Sequence, residues 1–153
     1  MSLDNKVKLD GVDRQLLRRL ITDGRVSVAE LAQQIGMSAP GVNERLKRLE
    51  RRGVIRGFSV EVDLAALGFA FEAIVRIKPR PGALKQVEAM LAKQIRFTMC
   101  DKVTGDDCFI ARLALYSITE LDDILDPFHD LAETNTAIVK SSPVRHRVPI
   151  DLS

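Results

Sequence analysis

The stretch SVAELAQQIGMSAPGVNERLKRLERR, residues 27–52, decides the fold of the first part of the chain. Ser27-Val28-Ala29-Glu30 has the spacing of a capping box, in which the serine oxygen and the glutamate carboxylate each accept from a backbone N–H that the helix itself leaves unpaired. A helix therefore starts at Val28 and buries Val28, Leu31, Ala32 and Ile35. It stops at Gly36, which can take the positive φ of a sharp turn. After the turn Gly36-Met37-Ser38, Ser38 caps the next helix, whose first turn tolerates Pro40 because no intrahelical N–H is needed there. Helix, glycine-containing turn and helix in this order predict a helix-turn-helix, with Ser38 to Arg52 as its second helix.

Charge on that second helix points to its partner. Val42, Leu46 and Leu49 form an apolar stripe, and the opposite face carries Pro40, Gly41, Glu44, Lys47, Arg48 and Arg51. Small residues at the N-terminal end, Ala39, Pro40 and Gly41 behind Ser38, let a helix approach base edges in a major groove. Asn43 on one flank can pair with adenine. Arg45 on the other can touch a phosphate or brace the domain, and Lys47, Arg48, Arg51 and Arg52 can reach bases or the backbone. Ser38 to Glu44 are thus expected to read bases and Arg45 to Arg52 to hold backbone.

Working outward, Val12, Leu16, Leu17, Leu20 and Ile21 recur at helical spacing before Gly24, with Asp10 placed to cap that helix and Asp13 to favour its N-terminus electrostatically. After Gly53, the β-prone run Val54 to Val62, preceded by Gly53 and containing Gly57, reads as a small wing or strand, with Arg52 and Arg56 as phosphate contacts.

The second half has a different rhythm. Phe69, Phe71, Ala73, Val75 and Ile77 alternate with residues such as Glu72, Arg76 and Lys78, which predicts a half-buried strand ended by Pro79 and Pro81-Gly82. Leu84, Val87, Met90 and Leu91 follow at helical spacing. A hairpin then runs from Arg96 to Thr104, turns at Gly105-Asp106 and returns from Phe109 to Tyr116. Ser117-Ile118-Thr119-Glu120 is a further capping-box pattern, opening a helix with the stripe Leu121, Ile124, Leu125, Phe128 and Leu131 that Pro127 should kink or divide. A last strand is expected from Thr136 to Lys140. It is interrupted at Ser141-Ser142-Pro143 and resumes from Val144 to Ile150, with His146 facing the sheet or an interface. The order strand, helix, strand, strand, helix, strand is that of a ferredoxin-like βαββαβ domain, so the chain is read as α+β. Residues 1–62 are the helix-turn-helix domain with its wing, 63–68 a linker, and 69–153 the ferredoxin-like domain. The open face of that sheet needs a cover, and a second copy would supply both the cover and the dimer that a palindromic DNA site requires.

Composition agrees with two small folded domains: of 153 residues, 46% are hydrophobic and 29% charged. Residues 1–60 hold 12 Lys or Arg against 7 Asp or Glu, a net of +5, whereas 61–153 hold 11 against 14, a net of −3, so the basic half suits a polyanion and the other half does not. No apolar run approaches the roughly 18 residues of a membrane span, and the polar start lacks a signal-peptide core, so a cytoplasmic protein is expected. Cys100 and Cys108 fit neither a Cys-x-x-Cys pair nor a four-ligand zinc site, and no metal or other cofactor is expected.

Leu9-Asp10 with Asp13, Gly24-Arg25-Val26-Ser27, Glu30-Leu31-Ala32, Ser38, Val42, Arg45-Leu46, Arg48-Leu49-Glu50, Gly53-Val54-Ile55 and Gly57-Phe58 together resemble the N-terminal signature of the Lrp/AsnC, or feast/famine, transcription regulators. The order of elements after residue 68 resembles the effector-sensing and assembly domain of the same family. The resemblance implies sequence-specific binding to double-stranded DNA, a homodimer that can assemble to an octamer, and an amino acid or related small metabolite bound between subunits. The hairpin loop bordering the family's effector site corresponds to Thr104, Gly105, Asp106, Asp107 and Cys108, with Asp107 where the family carries an aromatic and Cys108 where it carries an acid. Thr134 and Thr136 resemble the threonine segment that also lines the site. From the residues alone, Asp106 and Asp107 also suit a tight turn, and Cys108 a small hydrophobe or a redox partner of Cys100. Two other classes stay open. One is a sequence-neutral architectural DNA binder, which would depend steeply on salt and hardly on sequence. The other is an enzyme on a ferredoxin-like fold, for which the chain offers no nucleophile elbow, phosphate loop or paired-carboxylate motif.

Overall fold

The computed structural model describes residues 7–149. The chain divides into two compact units, Met1–Glu61 with His146–Ser153, and Val62–Arg145. The expected linker, 63–68, belongs to the second unit and carries a short 3-10 turn, Ala65–Leu67, closed by Gly68 in the left-handed region.

The first unit holds α1 (Gly11–Thr22), α2 (Val28–Ile35) and α3 (Ala39–Arg51). Each start is capped as its residues dictate: Asp10 and Asp13 form a capping box on α1, Ser27 and Glu30 one on α2, and Ser38 Oγ accepts from Gly41 N at 3.3 Å on α3. Gly36 ends α2 with φ +73°, where a side chain would be strained. Leu16, Leu31, Ala32, Val42 and Leu46 make the core, joined by Val12, Leu20, Ile35 and Ile55. Ile21 was expected on the buried face of α1 but, in the last turn of that helix, is 43% exposed.

The wing does not form as a strand. After Gly53 the chain caps α3, with Val54 N and Ile55 N both donating to Leu49 O, and residues 56–62 run on as irregular backbone with no ladder partner. Phe58, Val60 and Val62 alternate as a strand would but are exposed, since alternation alone supplies no second strand to pair with.

The second unit is an antiparallel sheet of β1 (Phe71–Pro79), β2 (Phe97–Lys102), β3 (Phe109–Leu115) and β4 (Ala132–Ile138) in the order β2-β3-β1-β4, with α4 (Leu84–Lys93) and α5 (Glu120–Leu125) between strands. This is the ferredoxin-like arrangement. Ala73, Val75 and Ile77 on the central strand are fully buried with Val87, Leu91, Phe109, Leu113, Ile124 and Phe128. Pro127 divides the last helix as expected, because it cannot donate the N–H that α5 would need to continue, and a 3-10 turn, Asp126–Phe128, follows. Three expectations shift. β1 starts two residues later than read, with Phe69 stacked on Tyr116 at 4.3 Å instead of lying in the ladder. β4 starts at Ala132, paired to Pro79, four residues earlier than read. The stretch after it, Val144 to Pro149, is exposed and irregular with His146 in solvent, while Ile150 lies outside the described residues.

At the N-terminus of α5 only half of the expected capping box forms. Glu120 accepts from Ser117 N and Tyr116 N, but Ser117 Oγ pairs with Thr119 Oγ1 instead of capping the helix. Glu120 is also held by Arg96, whose guanidinium meets Glu120 Oε2 at 2.6 Å, donates through Nε to Ala114 O, and lies over the rings of Phe69 and Tyr116. The ion pair holds the Glu120 carboxyl below its ordinary pKa.

Candidate nucleic-acid interface and effector loop

α3 is an amphipathic rod set on α1 and α2. Val42, Leu46 and Leu49 are buried, whereas Ser38, Ala39, Pro40, Asn43, Glu44, Lys47, Arg51 and Arg52 are exposed and Gly41 is half-buried. The exposed face therefore carries the small N-terminal residues, one amide and several cations, as the periodicity predicted. Arg56 is also exposed, on the loop after α3.

The cations are not equivalent. Asp13, only 2% exposed, receives Arg45 Nη1 at 2.9 Å and Arg48 Nη2 at 2.9 and 3.1 Å, and Asp10 Oδ2 meets Arg45 Nη1 at 2.6 Å. The same two aspartates cap α1, so this clasp ties the N-terminus of α1 to the middle of α3. The hydrogen bond from Arg45, then that from Asp13 N, holds the Asp10 carboxyl below its ordinary pKa, and Asp10 followed by Asp13 raises that of Arg45. Arg48, read from helical angle as a solvent-facing DNA contact, is half-buried against α1, and Arg45 takes the bracing role its flank allowed. Arg51 pairs with Glu44 at 3.0 Å, both side chains well exposed, a pairing that water and salt weaken. Among the described residues Lys47, Arg52 and Arg56 enter no ion pair.

In the second unit, Thr104, Gly105, Asp106, Asp107 and Cys108 form the β2–β3 loop, closed by Val103 N donating to Cys108 O at 2.8 Å. Cys108 adopts φ +54°, a left-handed conformation uncommon outside glycine. The register brings Thr134 to the same end of the sheet, since Phe109 and Thr134 both oppose Ile77, while Thr136 opposes Val75 further along. The threonines share the helix-covered side with Ile77 and Val75. On the other side, Arg76 donates to Asn135 Oδ1 at 3.0 Å and lies 4.0 Å from Asp107 Oδ2. The loop and the threonine segment are thus neighbours at one sheet end but on opposite faces. Cys100 and Cys108 are free thiols, and burial, then Asp101 and Glu88, pushes the Cys100 thiol up, which disfavours the reactive thiolate. Among the described residues no group of three or more His, Cys, Asp or Glu side chains is placed to hold a metal ion, and no helix is long and apolar enough to cross a membrane.

Two family models match the chain: winged helix-turn-helix DNA-binding over residues 9–56, and Lrp/AsnC ligand binding domain over residues 72–149. The chain belongs to the Lrp/AsnC family. It is 33% identical over 129 residues to the transcriptional regulator LrpA of Mycobacterium tuberculosis, a match covering 84% of this chain and 86% of that one. Bacillus subtilis LrpC superposes with a TM-score of 0.85 at 26% identity, over 92% of this chain and 100% of that one. The feast or famine regulatory protein of M. tuberculosis, solved as a complex with L-methionine, superposes with a TM-score of 0.84 at 30% identity, over 92% and 98%.

This Lrp/AsnC regulator therefore joins a DNA-binding helix-turn-helix to a ligand-binding domain. Reading its residues in order missed Asp13 as the hub of α3 and Arg76 as the link between loop and β4. A signal existed for each. Asp13 sits on the apolar stripe of α1, between Val12 and Leu16, where a carboxylate demands a partner, and Arg76 occupies an outward slot of a strand otherwise rich in small and apolar residues.

Proposed function

We propose that the protein is a cytoplasmic, sequence-specific regulator that inserts α3 into the major groove and acts as a homodimer, assembling further to an octamer. The observation that carries this reading is the face of α3, which presents Ser38, Ala39, Pro40, Asn43, Glu44 and Lys47 to solvent over a fully buried stripe. Ser38 to Glu44, with Gly41 allowing close approach, read base edges. Lys47, Arg51, Arg52 and Arg56 hold phosphate, and Arg45 and Arg48 hold the helix. A second copy covers the open face of the sheet, where Ile74, Ile110 and Met99 lie among polar residues.

The effector is an amino acid or a close relative, held beside Thr104 to Cys108, with Thr134 at the same sheet end and Thr136 two residues further along β4. The L-methionine complex of a relative 30% identical supports that class of ligand. Selection of binding sites from random DNA, followed by titration at about 0.15 M salt, tests the DNA reading. A selected site should bind at least about a thousandfold more tightly than random sequence. Equal affinity for both would replace this reading with the architectural one. A thermal-shift screen over amino acids tests the effector.

A further inference from the structure

The clasp that Asp10 and Asp13 make on α3 does more than brace a helix. Asp13 is almost wholly buried, yet both of its cationic partners come from α3, the helix whose exposed face carries the proposed DNA contacts. Arg48 lies one residue beyond Lys47, and its side chain stays 40% exposed while its guanidinium is bound to Asp13. We propose that Asp10 and Asp13 are specificity-determining positioning residues: they set the rotation of α3 about its axis, and they withhold Arg45 and Arg48 from indiscriminate phosphate contact. The inference rests on α3 being the DNA-reading helix.

Carboxylate and phosphate compete for each guanidinium. A guanidinium bound to a buried carboxylate through two hydrogen bonds has a fixed position and little charge left to attract phosphate. Released, the same group is a long mobile cation that any phosphate satisfies, and phosphate contacts add affinity without regard to sequence. The clasp thus trades total affinity for discrimination, and fixes which side chains of Ser38 to Glu44 face the bases.

Asp10→Asn tests this without disturbing the fold, because asparagine caps a helix as well as aspartate does. Asp13→Asn removes the buried charge with little change in shape, and Lys47→Ala serves as control. Each is titrated with a selected site and with random DNA at several salt concentrations. In Asp13→Asn, which removes the carboxylate both arginines share, the dependence of log K on log salt should steepen by up to about 0.9 per released arginine per half-site, with random DNA bound several-fold tighter and the selected-over-random ratio reduced; in Asp10→Asn, where Arg45 loses its 2.6 Å partner but keeps Asp13, the same changes should appear at smaller size. An unchanged or shallower salt dependence in Asp10→Asn, with the selected-over-random ratio intact, would overturn the proposal even if Asp13→Asn proved too unstable to measure. If Lys47→Ala also changed nothing, the fault would lie with α3 as the reading helix, whereas a Lys47→Ala effect alone would isolate the failure to the clasp.

Discussion

Lys47 and Arg48 are adjacent cations on one helix, and the structure gives them different partners, so Lys47→Ala and Arg48→Ala should fail in different ways. Lys47 is exposed and enters no ion pair among the described residues, so under the proposed reading its whole charge serves phosphate. A phosphate contact releases about 0.9 counterion, so at about 0.15 M salt it contributes about 0.7 log units, or roughly 1 kcal/mol. Lys47→Ala should therefore weaken each half-site about fivefold, and a dimer on two half-sites about 30-fold. The salt slope should fall by about 0.9 per half-site, with stability unchanged within about 0.5 kcal/mol. Arg48 instead makes two hydrogen bonds to Asp13, at 2.9 and 3.1 Å. Bonds to charged groups are worth about 1.5–3 kcal/mol, but Arg48 is 40% exposed and Arg45 still holds the carboxylate, so about 1 kcal/mol is expected. In a domain of roughly 60 residues that lowers Tm by about 4–8 °C. Fluorescence anisotropy at several salt concentrations, paired with circular-dichroism melting, separates the two outcomes. An Arg48→Ala variant that melts normally but loses salt slope as Lys47→Ala does would refute the assignment of Arg48 to the clasp.

Ser27→Ala removes the side-chain half of the capping box on α2 and should cost about 1 kcal/mol, read as a lower denaturant midpoint with an unchanged m-value. Asp10 and Glu120 both have carboxyl pKa values lowered in the folded chain, so the stabilisation they give is complete above the unfolded carboxylate range near about 4 and is lost as pH falls through their folded values. Melting followed from pH 6 to pH 2 should show that loss, and Glu120→Gln should lower Tm at pH 6 while flattening the decline; a parallel decline would remove Glu120 from the account. Asp107→Ala should leave the melting temperature without ligand almost unchanged, since Asp107 is substantially exposed, but should abolish any L-methionine-dependent rise. A full rise in that variant would place the effector elsewhere.

Local chemistry made the first unit legible. Ser27, Glu30, Gly36, Ser38 and Pro40 act within a few residues of themselves, so caps and turn could be read directly, and the helix bounds followed. The stripe Val42, Leu46, Leu49 and the alternation Ala73, Val75, Ile77 were legible because burial imposes a period on whatever element carries it. The wing misled for the same reason: Phe58, Val60 and Val62 have the right period, but a strand also needs a neighbour's backbone. The early start of β4 escaped because Glu133 and Asn135 look like loop residues until they sit opposite Lys78 and Arg76 on β1.

The sequence by itself determined that this chain is a capped helix-turn-helix followed by a ferredoxin-like domain, because capping, turn chemistry and hydrophobic period are interactions between near neighbours. Only the tertiary structure decided which cations of α3 are tied to the carboxylates of α1. That outcome depends on Asp10 and Asp13, more than thirty residues away along the chain, arriving within 3 Å of Arg45 and Arg48. An ion pair depends on distance in space, and no periodicity in the chain encodes it.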